Sequence, residues 1–158
     1  MRWILVIVLA WFTEMCYATP HLIFKDKEMK CLTDAIYFES AGEPVLGQWL
    51  VGRVILNRVN NGHPPTICQT VHEPSKNKAK PQACQFSFTC AIKDYRKKKK
   101  RLQEYTQSAI VAKMLLQDYM FYDLSEGAKY FTRCEVKTRW KKDMELVIKV
   151  ENHCFYRS

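Results

Sequence analysis

Glycine and proline are scarce in this chain, 5 and 6 among 158 residues, and no stretch rich in either divides it. That leaves no linker to a second domain, and the length suits one domain able to bury a core of its own. No internal repeat is present. Acidic residues are outnumbered: 16 Asp and Glu face 25 Lys and Arg, a formal net charge of +9. Such a chain is drawn to anionic polymers, whether phosphates, acidic glycans or lipid head groups, and the charge does not choose among them. No two cysteines stand at the spacing of a zinc knuckle, and His21, His63, His72 and His153 form no i, i+4 pair. Neither a metal nor a cofactor is expected. No apolar run reaches the ~20 residues that span a bilayer. Hydrophobic residues at 47% and aromatics at 13% nonetheless fit a globular protein.

Residues 1–18 read as an export signal. Arg2 gives a minimal positive start, Ile4 to Phe12 is apolar, and Cys16-Tyr17-Ala18 offers a small-residue cleavage site before Thr19-Pro20. Phe12-Thr13-Glu14-Met15 before Cys16 is a poor context for lipid attachment. Cleavage removes only Arg2 and Glu14 among charged residues, so the basic excess persists. It also removes Cys16 and leaves six cysteines: Cys31, Cys68, Cys84, Cys90, Cys134 and Cys154. An even set in an exported chain points to up to three disulfides, with the pairing open. The expected product is an exported monomer, in the periplasm or cell wall, with no stable membrane span once the signal is cut.

Residues 19–30 read as a polar leader and 31–158 as the folded domain. Leu32, Ala35 and Ile36 recur along one helical face, and Glu39 is the i+7 member of that stripe. A carboxylate facing a core is either an ordinary residue near a helix end or a working acid with a raised pKa. Glu43 projects the same way only if the helix survives past Gly42 and Pro44, which suggest a stop. A second helix is expected over Val45–Asn60, with Leu50, Val51, Val54 and Ile55 buried and Asn60-Asn61-Gly62 as its stop. Thr66 caps a short turn of helix. Glu73 to Ala83 is a loop. It leads to Cys84-Gln85-Phe86-Ser87-Phe88-Thr89-Cys90, a short rigid segment or a simple turn under the core. Lys93 to Arg101 holds seven basic residues with only Tyr95 interleaved, so a solvated face is expected and nucleic acid is not. A third helix runs from Gln103 to Met120 with Tyr105, Ala109, Ala112, Leu116 and Tyr119 on one face. Ser125-Glu126-Gly127 is a turn. Ala128–Thr132 and Leu146–Val150 read as strands, paired as a hairpin across Lys141-Lys142-Asp143.

These blocks carry a resemblance. Cys31-Leu32, Ile36-Tyr37-Phe38-Glu39, Gly42-Glu43-Pro44, Gly47-Gln48 and Val54-Ile55-Leu56-Asn57-Arg58-Val59 resemble the opening of the SleB/CwlJ-type cell wall hydrolases. The similarity continues through Pro65-Thr66-Ile67-Cys68, Cys84 to Cys90, Gly127-Ala128-Lys129-Tyr130-Phe131, Trp140 and His153-Cys154-Phe155-Tyr156. It covers essentially the whole mature chain in order. It implies a lysozyme-like, mainly helical α+β domain with a small antiparallel sheet near the C-terminus, stapled by disulfides. Peptidoglycan strands would be the substrate and Glu39 the catalytic acid. Two departures stand out: Ser40-Ala41-Gly42 where the family has Ala-Arg-Gly, and Ala91 after Cys90 where an aspartate is common. The missing arginine leaves open how Glu43 is held.

Glycosidic cleavage needs a proton on the leaving oxygen. A glutamate near its usual ~4.3 is protonated ~0.2% of the time at pH 7, and lifting it to ~6 gives ~10%. A two-carboxylate glycosidase needs a partner ~5–9 Å away, for which Glu43 is the nearby choice in sequence. A lytic transglycosylase, which the resemblance implies, needs Glu39 alone and yields 1,6-anhydro-muramyl ends, leaving Glu43 to hold the fold. Gln85, Ser87, Trp140 and Tyr156 are candidate sugar contacts or core residues, and His153 a candidate orienting group. The alternatives are a muramidase, an N-acetylmuramoyl-L-alanine amidase, or a basic module binding an anionic polymer without catalysis. A phage lysis protein and a bacterial remodelling enzyme fit equally.

Overall fold

The computed structural model describes residues 26–62, 64–74, 84–90, 101–117 and 123–158. The signal at 1–18, most of the leader, His63, most of the loop after Glu73, the run at 93–100 and the far end of the third helix lie outside the described residues. Helix α1 spans Asp26–Ser40 and α2 spans Val45–Asn60. Leu32, Ala35 and Ile36 of α1 and Leu50, Val51, Val54 and Ile55 of α2 are fully buried, as their 3.6-residue spacing requires. Helix α1 begins before Cys31, and Met29 in its first turns packs on the core, so the leader's last residues contribute to the fold. Gly62, at φ +77°, follows the α2 cap at Asn61. In α3, Ile67–Val71, the Thr66 hydroxyl accepts the Gln69 N–H at 3.2 Å.

The segment from Cys84 is a turn closed by the short helix α4, Ser87–Cys90. Helix α5 spans Leu102–Leu116 and packs on α1 and α2. Its buried face is Ser108, Val111, Ala112, Leu115 and Leu116. This corrects the face expected through Tyr105 and Ala109, which are only half-buried. Helices α2 and α5 meet closely at Gly52, where a Cβ would lie 2.4 Å from Leu115 Cδ1 and 2.9 Å from Ile36 Cδ1.

The sheet contains β1 (Tyr130–Arg133), β2 (Glu145–Val150) and β3 (His153–Arg157). All pairs are antiparallel and the order is β1-β3-β2. The expected hairpin between the first two strands is therefore wrong: both pair with the closing strand, and Lys141-Lys142-Asp143 belongs to a 3₁₀ turn over Arg139–Asp143. Four consecutive residues, His153 to Tyr156, are buried, which suits a central strand covered on both faces. Asn57 of α2 ties the helices to the sheet, donating to Ser125 Oγ and the Ala128 carbonyl, both at 2.9 Å.

Three disulfides staple the elements. Cys31–Cys68 joins α1 to α3, Cys84–Cys90 closes the α4 segment, and Cys134–Cys154 fixes the end of β1 to β3. The architecture is the mainly helical α+β domain with a small C-terminal antiparallel sheet expected from the sequence.

Candidate active site

Glu39 sits one residue before the end of α1, on the stripe that buries Leu32, Ala35 and Ile36. The helix stops where Ser40 turns its hydroxyl inward onto the Ile36 carbonyl at 2.8 Å. Glu43 N–H bonds the Ser40 carbonyl at 2.9 Å, and Pro44 then opens α2. The resulting corner lines a cavity of about 490 Å³ formed by Tyr37 to Glu43 and Arg101. Phe38 stacks on Phe88 at 5.0 Å, so α4 backs the end of α1.

Burial pushes the Glu39 carboxyl from 4.5 up to about 7. Its Oε1 has no hydrogen-bond partner among the described residues. The carbonyl end of α1 beside it further disfavours an anion. The group is thus an acid near half protonation at neutral pH, at the wall of a cavity.

Glu43 has a different environment. Its Oε1 accepts from Asn152 Nδ2 at 3.2 Å and lies 3.3 Å from His153 Nδ1. His153 Nδ1 makes no hydrogen bond in this geometry, and the pair is ionic only when the imidazole is protonated. Burial outweighs the attraction of Glu43 and holds His153 below the usual imidazole range. The Glu43 carbonyl accepts Gln48 Nε2 at 3.1 Å, while Ser108 Oγ donates to Gln48 Oε1 at 3.3 Å. An asparagine and a histidine from the β2–β3 hairpin meet Glu43 and brace this corner.

Glu39 and Glu43 line one cavity, and His153 meets Glu43 without lining it. The other sequence candidates do not line the Glu39 cavity. Gln85 borders a separate cavity of about 240 Å³ with Arg58, Glu73, Lys129 and Tyr130. Ser87 opens α4 and is exposed. Trp140 packs edge-on against Tyr156 at 5.3 Å on the sheet, and Tyr156 is buried. Three residues escaped the sequence reading as parts of the site. Gln48 was visible only as a motif letter, although a fully buried glutamine must find partners. Asn152 reaches Glu43 only through the hairpin, and Arg101 was one cation among seven. Among the described residues, no three His, Cys, Asp or Glu side chains are grouped to hold a metal.

Comparison with known proteins agrees with this fold. The catalytic domain of the germination-specific lytic transglycosylase SleB from Bacillus anthracis superposes with a TM-score of 0.63 at 23% identity, over 85% of this chain and 97% of that one. The catalytic domain of the Bacillus cereus SleB protein gives 0.59 at 23% identity, over 84% and 91%. A spore cortex-lytic enzyme of Bacillus cereus is 40% identical over 52 residues, which is 32% of this chain and 20% of that protein. The match thus spans about a fifth of the relative's length. The cell wall hydrolase family profile matches residues 42–156, beginning just past Glu39 and taking in Glu43, Gln48, Asn152 and His153. By that match across most of its length, the chain belongs to the cell wall hydrolase family.

Proposed function

We propose that the protein cleaves the MurNAc–GlcNAc bond of peptidoglycan as a lytic transglycosylase, with Glu39 as general acid and base. The observation that carries this is the Glu39 carboxyl at the wall of a cavity, lifted to about 7 by burial and holding one oxygen that is buried and unpartnered among the described residues. Glu39 gives its proton to the bridging oxygen as the bond from the muramyl C1 breaks. The muramyl 6-hydroxyl oxygen then closes on C1 while the Glu39 carboxylate takes that hydroxyl's proton. No water is consumed. One strand ends in 1,6-anhydro-muramic acid, the other in an N-acetylglucosamine with a free 4-hydroxyl, and Glu39 is protonated again.

One carboxyl group suffices for this sequence, and Glu43 supports the reading through its Oε1, which is engaged by the hairpin while Oε2 is buried and unpartnered among the described residues. Its bond to Asn152 and contact with His153 suit a structural brace better than a nucleophile or base. The three disulfides and the signal-like start favour work outside the cytoplasm, in the periplasm or wall. The names of the relatives point to the same chemistry for those proteins.

The test is mass spectrometry of muropeptides released from purified peptidoglycan by the wild type and by Glu39→Gln. Anhydro-muramyl ends from the wild type, falling at least about 100-fold in the variant, are expected for loss of a general acid. Reducing muramyl ends would instead indicate hydrolysis and return Glu43 to the chemistry. Free stem peptides would overturn glycosidic cleavage altogether.

A further inference from the structure

The basic run ending at Arg101 plays no part in the proton transfers, yet its last member faces them. Arg101 precedes α5 and lines the same cavity as Glu39. Two contacts fix it there. Its backbone N–H donates to the Tyr37 hydroxyl at 3.1 Å, and its Nε meets Glu104 Oε2 at 2.7 Å. Glu104 occupies the Nε edge alone, and the two terminal nitrogens have no partner among the described residues. The side chain is 74% exposed, so a ligand can reach that fork.

The charge around the cavity is polarised. Among the described residues that line it, Arg101 alone is a cation, and the other charged groups are Glu39 and Glu43. An anionic substituent of a bound strand finds no other cation among the described lining residues and is drawn to the guanidinium. A guanidinium fork matches a carboxylate with two parallel N–H bonds, which a point charge cannot do. Neutral sugar hydroxyls gain nothing comparable from it.

We infer that Arg101 is a specificity-determining residue that takes a carboxylate carried by the muramyl unit of the strand, an inference that rests on peptidoglycan being the substrate. Two groups supply that chemistry: a carboxylate of the stem peptide, or the lactyl carboxylate where the peptide has been removed. A neutral chitin-type strand has neither and is discriminated against. The residue acts in recognition, so its loss raises KM and leaves kcat nearly intact.

Binding tests this without relying on the chemistry. Glu39→Gln protein is co-sedimented with native peptidoglycan, with amidase-stripped strands, and with peptidoglycan whose carboxyl groups have been converted to amides. Adding Arg101→Gln should weaken binding to native material about tenfold, as for loss of a charge-assisted pair. It should not weaken binding to the amidated material, and Arg101→Lys should recover only part of the loss. Stripped strands that bind like native ones show that the freed lactyl carboxylate is accepted as well as the stem peptide, and stripped strands that bind like amidated ones restrict the ligand to the stem peptide. Equal weakening on native and amidated material, or none on either, overturns the inference. If wild-type protein cuts no glycan while this binding pattern holds, the proposed chemistry fails and the role of Arg101 stands.

Discussion

Lifting Glu39 to about 7 costs the fold something that an exposed glutamate would not. Below the ordinary 4.5 the group is protonated in both the folded and unfolded chains and stability is untouched. As pH rises through the window from 4.5 to about 7, the unfolded chain ionises first, so folding stability is lost. The loss reaches at most about 3 kcal/mol. Glu39→Gln should therefore match the wild type in denaturant melts at pH 4 and exceed it by about 1–3 kcal/mol at pH 8. A variant no more stable than wild type at pH 8 would mean the carboxyl is not desolvated. Under the proposed role the same titration governs rate: the acid must enter protonated, so kcat/KM should fall about tenfold per pH unit above 7. Glu39 was legible in the sequence because a charge on an apolar stripe breaks the pattern. Glu43 was legible as a residue and its partners were not, since they lie on a hairpin whose approach no spacing in the chain reveals.

At the scale of elements, the helices followed from periodicity and the sheet did not. The bounds of α2 agree with the sequence reading because apolar spacing, the Asn-Gly stop and the following prolines all coincide. In α5 the buried face includes Ser108, whose hydroxyl is satisfied by the Glu104 carbonyl at 3.0 Å and by Gln48. A hydrophobic count passes over such a residue and rotates the predicted face. Strand β2 carries a register irregularity between Leu146 and Ile148, and Leu146 is 52% exposed, so its alternation was only partial. Strand β3 has no alternation at all, being covered on both sides. The tightest element contact is at Gly52. Gly52→Ala removes backbone freedom, which alone would stabilise α2, but it forces a methyl against Leu115 and Ile36 in a filled core. Overpacking should win and lower stability by about 1–3 kcal/mol. A denaturant midpoint at or above the wild type's would show that the two helices can separate freely.

The molecule as a whole depends on cross-links that close loops of 37, 6 and 20 residues. Chain-entropy estimates give about 4, 2 and 3 kcal/mol for them, comparable to the entire stability of an ordinary domain. Adding a thiol reductant should therefore lower the melting temperature followed by circular dichroism by more than about 20 °C, or abolish the cooperative transition. A shift of a few degrees would mean the cysteines contribute little. The brace on Glu43 has a further consequence in time. Asn152 comes 109 residues after the glutamate it holds. A polypeptide emerging amino end first, from a ribosome or through an export pore, presents Glu43 well before the clasp that holds its corner. Until that hairpin has emerged and closed, the corner beside Glu39 has no firm seat, so under the proposed role a half-made copy is a blunt tool inside the cell that builds it.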